Sequence, residues 1–517
     1  MFKTYQTKLK NDKILLKNNR AIPVYEYYHQ NAQYFGMLER KLFVDLYVRK
    51  KPLGDLKKLY CAQYKITARQ YNSIKKQLDG RISSKLELSK LYMGEWNEKI
   101  KNTTKLIRSK EEQKVKLQSS LLKMKGNEGN FHKKVKQYRH VKRSIHQKKR
   151  KLYSLTLKLK KLESDFKEEK VRICFGSKAL FQKQFNLEEN GLTFKQWKKD
   201  WEEKRAAQFT FIGSKDETFG NQSCTYDLEN NLRIRVFSKD EKVFGNYVIL
   251  TNVTFGYGQE NIDKAKIFSL GYTKGKKNQV KYYRALTWKF VRKNGNWYTN
   301  VTVDVDAPNV ISLKNNGVIS IDFNYGFFAI SDVDRYGNVV NSFQVPYRST
   351  HCTSEQTQQS LSEALKIVIQ YAVDQAKPIG CEKLDFKKKK KSLKQMSPKQ
   401  AKMLSGFAYS TYQSMLQSKC EMAGIEWISV NPAYTSQIGH HKFMKKYGIS
   451  SHESAALVIG RRCLDFKKVE KIPQHHILNK NKKDSILKME RLSQWKEICK
   501  QWKKYSFNNK TYLLNRI

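Results

Sequence analysis

Hydrophobic and polar positions divide the chain into a helical, a β-rich and a mixed α/β segment. From about residue 26 to 205, glycine is sparse and apolar residues recur three and four positions apart, as at Leu38, Leu42 and Leu46. That spacing puts apolar side chains on one face of a helix and predicts a helical segment. Residues 1–25 carry short apolar runs instead, which predict strands.

Two long helices are predicted inside the helical segment, at about 103–125 and 131–170. The stretch between them, Gly126 to Gly129, contains two glycines and an asparagine and breaks helices. Residues 101–170 hold 23 Lys and Arg against 7 Asp and Glu. Such an excess is typical of the solvated face of a coiled-coil hairpin, and it also offers a surface that can follow a phosphate backbone.

Residues 206–312 change to a β pattern. Apolar and polar residues alternate from Leu232 to Val236, as in a half-buried strand. They alternate again from Leu286 to Phe290 and from Trp297 to Val303, and Asn294-Gly295 between these runs is a strong hairpin signal. The segment predicts a small barrel or sandwich that the N-terminal strands complete, with the helical segment inserted.

From residue 313 the predicted order is strand, strand, helix, strand, helix, strand, helix, which favours a mixed α/β layer of the ribonuclease-H type. The last part of the chain is basic and predicted to be helical. The predicted strands lie at 317–321, 327–330, 379–384 and 426–430, the helices at 355–376, 398–423 and 452–463, and a run of five lysines at 387–391.

The charge of the chain points to a polyanionic partner. The 517 residues include 101 Lys and Arg against 47 Asp and Glu, a formal net charge of +54. Such an excess repels itself in a compact fold, so it argues against an ordinary metabolic enzyme and favours binding of nucleic acid. The hydrophobic fraction of 39% is enough for real cores and excludes a disordered basic tail.

Cysteine spacing informs on zinc binding and redox compartment, and the lengths of the apolar runs inform on cellular location. None of the eight cysteines forms a C-x-x-C pair, and scattered thiols in a large chain are typical of a reducing cytosol. The chain shows no signal-peptide core at its start and no run of 18 apolar residues. We therefore expect a cytoplasmic, nucleoid-associated protein with no membrane partner.

Two acidic residues at the ends of predicted strands are candidate metal ligands. Asp322 ends a buried strand, where a carboxylate is costly unless it is paired. Glu382 lies on a second short strand, which neighbours the first in a ribonuclease-H-like sheet. Divalent metals between the two carboxylates would relieve their repulsion and support phosphodiester hydrolysis. Alternatively, Asp322 only begins a turn with Asn324 and Gly326, and Glu382 is a surface residue.

Four stretches of the C-terminal half resemble the RuvC nuclease domain of the TnpB family, the transposon-encoded RNA-guided nucleases related to compact type V CRISPR effectors. They occur in the family's order, and together they are more specific than any one alone. The stretches are Gly317–Asn324 (GVISIDFN), Cys381–Lys387 (CEKLDFK), Asn431–Gln437 (NPAYTSQ) and His452–Arg462 (HESAALVIGRR).

The resemblance implies an RNA-guided DNA endonuclease whose partners are a guide RNA and target DNA. Its catalytic Asp and Glu map to Asp322 and Glu382, with Mg²⁺, or Mn²⁺ as an alternative, as the cofactor. It implies a multidomain α+β fold in which a RuvC-like, RNase-H-like nuclease domain follows a β-barrel-like wedge domain and an inserted helical recognition lobe. The implied domains are the first wedge strands at 1–25, the helical lobe at 26–205, the wedge at 206–312, the nuclease domain at 313–470 and a basic tail at 471–517.

The sequence departs from the family first at the zinc ribbon. Family members usually carry four cysteines after the Thr-Ser-Gln motif, whereas here Gln437 is followed by Ile-Gly-His-His and no cysteine before Cys463. We therefore expect no structural zinc. Adjacent histidines rarely bind one ion, so His440 and His441 are predicted to be exposed loop residues or nucleic-acid contacts.

The second departure concerns the third acidic ligand. The family places it three residues before an alanine pair, and the alignment on Ala455-Ala456 puts His452 there, with Glu453 beside it. Either His452 is a metal ligand, or Glu453 supplies the carboxylate, or the third ligand is lost. A one-residue shift turns a helical side chain about 100° around the axis, so the two cannot face the site equally.

Three functions follow from these alternatives. An intact site gives a metal-dependent DNA endonuclease guided by RNA. Loss of the third ligand gives an RNA-guided protein that occupies DNA without cutting it, as a repressor would. A nuclease site without a guide gives a transposition or junction-resolving enzyme. A discrete RNA that copurifies with the protein separates the first two from the third.

Overall fold

The structure, a computed structural model, divides the chain into two compact units, Met1–Val305 and Asp306–Ile517. The described residues are mixed α and β, and none of their helices is both long and apolar enough to cross a membrane. The structure describes residues 1–17, 19–124, 130–272, 279–349, 351–383, 409–466, 470, 472, 477 and 483–502.

The first unit contains eleven described strands and eight described α-helices, with a short π-helix, Val44–Val48, directly after the first α-helix. The strands are β1 (Phe2–Lys8), β2 (Lys13–Leu15), β3 (Ala21–Pro23), β4 (Gln208–Phe211), β5 (Cys224–Tyr226), β6 (Leu232–Arg235), β7 (Tyr247–Leu250), β8 (Ser269–Tyr272), β9 (Gln279–Tyr282), β10 (Thr287–Lys293) and β11 (Asn296–Asp304). The helices are α1 (Val24–Phe43), α2 (Leu53–Gln63), α3 (Ala68–Leu122), α4 (Phe131–Lys167), α5 (Lys178–Lys183), α6 (Phe194–Arg205), α7 (Glu241–Phe244) and α8 (Gln259–Lys266).

The main sheet of this unit has the order β1-β11-β10-β4, with every pair antiparallel. The predicted hairpin is present, and Asn294 and Gly295 both have positive φ, at 48° and 79°, as a two-residue hairpin turn requires. The N-terminal strand completes the sheet by pairing with β11, as predicted. Of the predicted barrel or sandwich, a closed barrel is not formed among the described strands, because β1 and β4 are the open edges of this sheet.

Helix α1 shares a core with this sheet. The ring of Tyr28 lies 5.5 Å from that of Phe290 and 5.6 Å from that of Trp297, and Phe209 stacks on Phe290 at 4.5 Å. All four side chains are buried. The residues predicted as a helical lobe and those predicted as a β domain therefore belong to one continuous core.

Helices α3 and α4 form the long helical hairpin. Contacts of Lys134 with Ser120 and of Lys149 with Glu111 show that the two helices are antiparallel. Helix α3 begins much earlier than predicted, at Ala68, because Thr67 caps its first turn. Helix α4, Phe131–Lys167, matches the prediction closely.

The second unit contains five described strands and seven described helices. The predicted elements of residues 313–470 are present within the described ranges, and β14, α11 and α12 are additional; the lysine run at 387–391 lies outside those ranges. The strands are β12 (Val318–Phe323), β13 (Phe327–Val333), β14 (Val339–Pro346), β15 (Ile379–Glu382) and β16 (Trp427–Val430). The helices are α9 (Ser354–Asp374), α10 (Tyr409–Ala423), α11 (Thr435–Lys442), α12 (Met444–Tyr447), α13 (Ser451–Cys463), α14 (Lys483–Leu487) and α15 (Arg491–Trp502).

The sheet of the second unit has the order β14-β13-β12-β15-β16. Strands β12, β15 and β16 are parallel, whereas β13 is antiparallel to both of its neighbours. Strand β14 is missed by the sequence pattern because it is an edge strand whose residues are mostly exposed or half-buried. The parallel half of the sheet is the part that carries the candidate ligands.

Helices cover both faces of this sheet. On one face, Leu361 and Leu365 of α9 and Leu416 of α10 pack with Ile319 and Ile321 of β12. On the other face, α13 packs against β12 and β13, and α11 and the C-terminal helix α15 join it in a second apolar cluster. Trp495, Ile498 and Trp502 of α15 are buried there, so the predicted tail contributes to the core of the second unit.

One buried ion pair lies beneath α9. Lys377 Nζ is 2.5 Å from Asp332 Oδ1, and the hydroxyl of Tyr371 donates to Asp332 Oδ2 at 3.1 Å. Both charged side chains are at least nine-tenths buried. Lys377 lies in the short segment between α9 and β15, whereas Asp332 lies on β13, so the pair links that segment to β13.

Candidate functional site

Strand register brings Asp322 and Glu382 to the same level of the sheet. Strands β12 and β15 run parallel with Ile321 opposite Cys381, and Asp322 and Glu382 are the next residue on each strand. Neighbouring strands lie about 4.8 Å apart, and residues at one level of parallel strands point to the same face. The two acidic residues are therefore neighbours at the carboxyl edge of the sheet, as the sequence predicts.

The buried hydroxyl of Tyr412 is affected by the charges of both carboxylates. Burial, which is almost complete, raises the pKa of Tyr412 well above its usual value, and the charges of both Asp322 and Glu382 add to this rise. The tyrosine ring stacks on Phe323, directly after Asp322, at 4.2 Å. One side chain of α10 thus lies within the electrostatic reach of both acids.

Asp322 is held by two side chains. Asn324 Nδ2 donates to Asp322 Oδ2 at 2.9 Å, and His452 Nδ1 lies 3.3 Å from the same oxygen. Asn324 belongs to the turn into β13, whereas His452 lies in the first turn of α13 on the face of the sheet that α13 covers. The carboxylate, which is mostly buried, is therefore oriented from both its own strand and a distant helix.

The structure separates the two candidates for the third ligand. The hydrogen bond with Asp322 raises the pKa of His452, against an opposing effect of burial. Glu453 instead accepts from the backbone N–H of Ser450 at 2.9 Å, in a capping box, and from Gln344 at 3.4 Å. Of the two neighbours on the helix, His452 contacts Asp322 and Glu453 caps α13, as the 100° turn between successive residues requires.

Glu382 receives a hydrogen bond from Thr435. The hydroxyl Oγ1 of Thr435 lies 2.5 Å from Glu382 Oε1, and Thr435 is almost fully buried at the start of α11. The preceding residue, Tyr434, has a φ of 63°, in the left-handed region. A non-glycine residue in that region is strained and persists only where its surroundings enforce it. The surroundings of Tyr434 therefore fix the backbone conformation at the start of α11, next to Glu382.

The side chains at this edge fit a magnesium ion whose coordination shell is completed by water and substrate. Mg²⁺ is usually bound by one or two carboxylates together with water and phosphate oxygens. Asp322 and Glu382 are two such carboxylates at one edge, and His452 adds an imidazole beside the first. Across the described ranges, no three His, Cys, Asp or Glu side chains form a group that could hold a metal ion by themselves. Water and a phosphate oxygen would therefore have to provide the remaining ligands.

One prediction about a neighbouring residue is wrong. His441 is buried in α11, with its ring 4.6 Å from that of Trp502, so it is a core residue and not an exposed loop residue or a nucleic-acid contact. Arg462, in the last turn of α13, is also buried and pairs with Glu470. Both side chains reach the core because the C-terminal residues fold back onto α11 and α13.

Sequence reasoning singled out neither Asn324 nor Thr435 as a residue that orients the site. Asn324 lies in the motif GVISIDFN, and Thr435 lies in the motif NPAYTSQ. The available signals were the position of Asn324 beside a turn and the position of Thr435 at the start of a helix. Their partners were not predictable, because Thr435 contacts a carboxylate 53 positions away in the sequence.

Comparisons with known proteins leave the family open. No family model and no curated protein matches the chain. Among solved structures, a chain in the cryo-EM structure of a CRISPR-Cas12f ternary complex is similar, with 12% identity and a match covering 89% of this chain and 98% of that chain. The TM-score of 0.20 is too low to establish a fold or a function, which must rest on the residues described above.

Proposed function

We propose that this protein is a metal-dependent DNA endonuclease that a bound RNA guides to its target. The single observation that carries the nuclease proposal is the register of β12 and β15, which puts Asp322 and Glu382 side by side at one edge of the sheet. Two adjacent carboxylates repel each other, and a shared divalent cation removes that cost. The proposed substrate is the phosphodiester backbone of DNA.

The chain's own residues provide orientation and charge at this edge. Asp322 and Glu382 would hold Mg²⁺, while Asn324 and Thr435 fix the direction of each carboxylate through their hydrogen bonds. When bound there, the metal would activate a water and stabilise the leaving oxygen of a phosphodiester. His452, which contacts Asp322, is proposed as the third ligand in place of the acid of the family; without metal, it does not form a three-residue group with Asp322 and Glu382.

Guidance by RNA rests on separate observations. The described residues of the four motifs that resemble the RuvC domain of TnpB proteins lie on or beside the elements that form this edge or pack against it. The strand order of the second unit agrees with a ribonuclease-H-like domain. The net charge of +54 favours a large polyanionic partner, and the basic hairpin of α3 and α4 offers an extended surface for one.

The test is to purify the protein with its nucleic acid, sequence the RNA, and assay cleavage of DNA that matches that RNA beside randomised flanking sequence. We expect a discrete RNA species and Mg²⁺-dependent cleavage that Asp322→Ala abolishes. Undiminished cleavage by Asp322→Ala would refute the site. Cleavage without any copurifying RNA would instead indicate a guide-independent transposition or junction nuclease.

A second candidate function is an RNA-guided protein that binds DNA without cutting it. The observation in its favour is that His452 stands where the family has an acid, while the neighbouring Glu453 is engaged in the helix cap. This candidate predicts the same RNA and target binding, with no Mg²⁺-dependent nicking. The cleavage assay with the matched DNA therefore decides between the two functions.

A further inference from the structure

Helix α13 ends in a buried arginine whose donors bind two separate parts of the chain. Arg462 Nε and Nη2 donate to the two carboxylate oxygens of Glu470 at 2.7 and 3.0 Å. Both side chains are only 2% exposed. A paired carboxylate and guanidinium in this geometry is among the strongest side-chain contacts that proteins use.

The other contacts of this guanidinium reach the loop that precedes α11. Arg462 Nη1 donates to the carbonyl of Asn431, and Nη2 donates to the carbonyl of Ala433 at 2.9 Å. The backbone N–H of Ala433 donates to Asn431 Oδ1 at 2.9 Å, which closes the turn around Pro432. The conformation of residues 431–433 is thus fixed by one buried side chain.

This loop leads directly to the contact with Glu382. Tyr434 follows in the left-handed region, and the next residue, Thr435, donates its hydroxyl to Glu382. A strained residue persists where neighbouring contacts determine the backbone on both sides. Arg462 provides such contacts on the N-terminal side of Tyr434, and the buried Thr435 anchors the other side.

The C-terminal helix completes the network. Arg491 Nη1 is 3.0 Å from Glu470 Oε2, and Trp495 Nε1 donates to the carbonyl of Glu470 at 2.9 Å. Helix α15 therefore holds Glu470 in place, and Glu470 orients Arg462. Helix α13 contributes to the positions of both acids. Its first turn brings His452 to Asp322, and its last turn fixes the loop beside Glu382.

We propose that Arg462 is a positioning residue for metal binding, which acts on Glu382 through the loop 431–433 and the hydroxyl of Thr435. The proposal rests on the proposed function, since it concerns the same two carboxylates. Partners that orient metal ligands typically change metal affinity 10- to 100-fold when they are removed. Arg462 acts one contact further away, and we expect a change of about tenfold.

The experiment measures Mn²⁺ binding directly by electron paramagnetic resonance, which does not depend on cleavage. Arg462→Lys keeps the charge against Glu470, but one ammonium cannot also reach both carbonyls. We expect it to weaken Mn²⁺ binding about tenfold. The matched control is Arg461→Met in the same helical turn, whose guanidinium contacts the carbonyl of Gly337 and should leave Mn²⁺ affinity unchanged.

A double-variant cycle separates positioning from general loss of structure. If Arg462 acts through Thr435, then Arg462→Lys should weaken Mn²⁺ binding in the natural background and have no further effect in Thr435→Val. The proposal is overturned if the losses of Mn²⁺ affinity in Arg462→Lys and Thr435→Val are additive in the double variant. It is also overturned if Arg461→Met loses as much Mn²⁺ affinity as Arg462→Lys. A second form, Arg462→Met with Glu470→Gln, leaves no unpaired buried charge and should reproduce the loss if Arg462→Lys is poorly folded.

The same measurement distinguishes failure of this inference from failure of the proposed function. If the unmodified protein binds Mn²⁺ and Arg462→Lys binds it equally well, the positioning role is wrong and the metal site stands. If the unmodified protein binds no Mn²⁺, and Asp322→Ala gives the same result, both the site and its positioning residue are overturned.

Discussion

Asp322 and Glu382 occupy equivalent positions on neighbouring parallel strands, each directly after one member of the Ile321–Cys381 pair. Each carboxylate has a partner from a helix on the same face of the sheet, His452 for Asp322 and Thr435 for Glu382. Two like charges at this separation are unfavourable without compensation. The arrangement therefore supports the proposal that the two acids share a cation.

Removing the first carboxylate should abolish cleavage. We expect Asp322→Ala to lower the rate of DNA cleavage by at least about 10²-fold, because a charged group that would stabilise the transition state is lost. The rate is measured with the copurified RNA and matched DNA at saturating Mg²⁺. The control is Asp374→Ala, an exposed residue of α9, which should cleave normally. RNA binding should be the same in both variants.

The contact between His452 and Asp322 should make stability depend on pH in the metal-free protein. The hydrogen bond raises the folded-state pKa of His452, so its stabilisation is complete below about pH 6.5, the unfolded value, and is lost as pH rises through the folded pKa. The urea midpoint of the natural protein should therefore exceed that of His452→Gln at pH 5.5, and the difference should shrink at pH 8.

This measurement has a direct control. His146→Gln changes an exposed histidine of α4 and should lower the urea midpoint equally little at both pH values. A difference for His452→Gln that grows toward pH 8 would contradict the pairing with Asp322. Both measurements are made with EDTA present, so that no metal competes for the carboxylate.

The hydroxyl of Thr435 should matter for metal affinity more than for folding. Thr435→Val keeps the shape of the side chain and removes the donor to Glu382, and we expect a roughly tenfold weaker apparent affinity for Mg²⁺. Thr435→Ser keeps the hydroxyl and should retain most of the affinity. Titration of cleavage against Mg²⁺ measures both, and equal affinities for Val and Ser would rule out the orienting role.

The buried pair of Asp332 and Lys377 should affect stability without affecting the site chemistry. Asp332→Ala leaves a buried, uncompensated ammonium and should cost about 3–5 kcal/mol in the free energy of unfolding. Replacing both partners, as Asp332→Leu with Lys377→Met, should cost much less, because no charge is left unpaired. Urea unfolding followed by tryptophan fluorescence compares the two, and equal destabilisation would contradict this explanation.

Gly439 permits the close approach of α11 to α13. A Cβ at this position would lie 2.6 Å from the backbone carbonyl of Ser454, and a backbone atom cannot move aside cheaply. We expect Gly439→Ala to lower the free energy of unfolding by about 1–3 kcal/mol. The control is Gly94→Ala in α3, which faces open space and should be neutral or slightly stabilising. Thermal unfolding of both variants provides the comparison.

Local patterns were sufficient to predict one hairpin of the first unit and most elements of the second unit. Period-two alternation and the Asn294-Gly295 turn predicted the β10–β11 hairpin, and apolar spacing predicted α9 and α13, because these signals depend on residues close together in the chain. Helix α11 was missed because it lacks a clear apolar period and instead buries residues by packing on α13. The start of α3 was missed because the apolar stripe of this helix is narrow and the many charged residues around it obscure its period.

The sequence by itself determined most of the elements, the excess of positive charge and the identity of the two acids. Those features depend on residue type and on local spacing, which are fixed by covalent order. The tertiary structure alone decided that His452 and not Glu453 faces Asp322, that Thr435 contacts Glu382, and that Arg462 is buried. These outcomes depend on helix rotation and on pairing between distant segments, where side-chain burial and hydrogen bonding select one arrangement among many with the same local pattern.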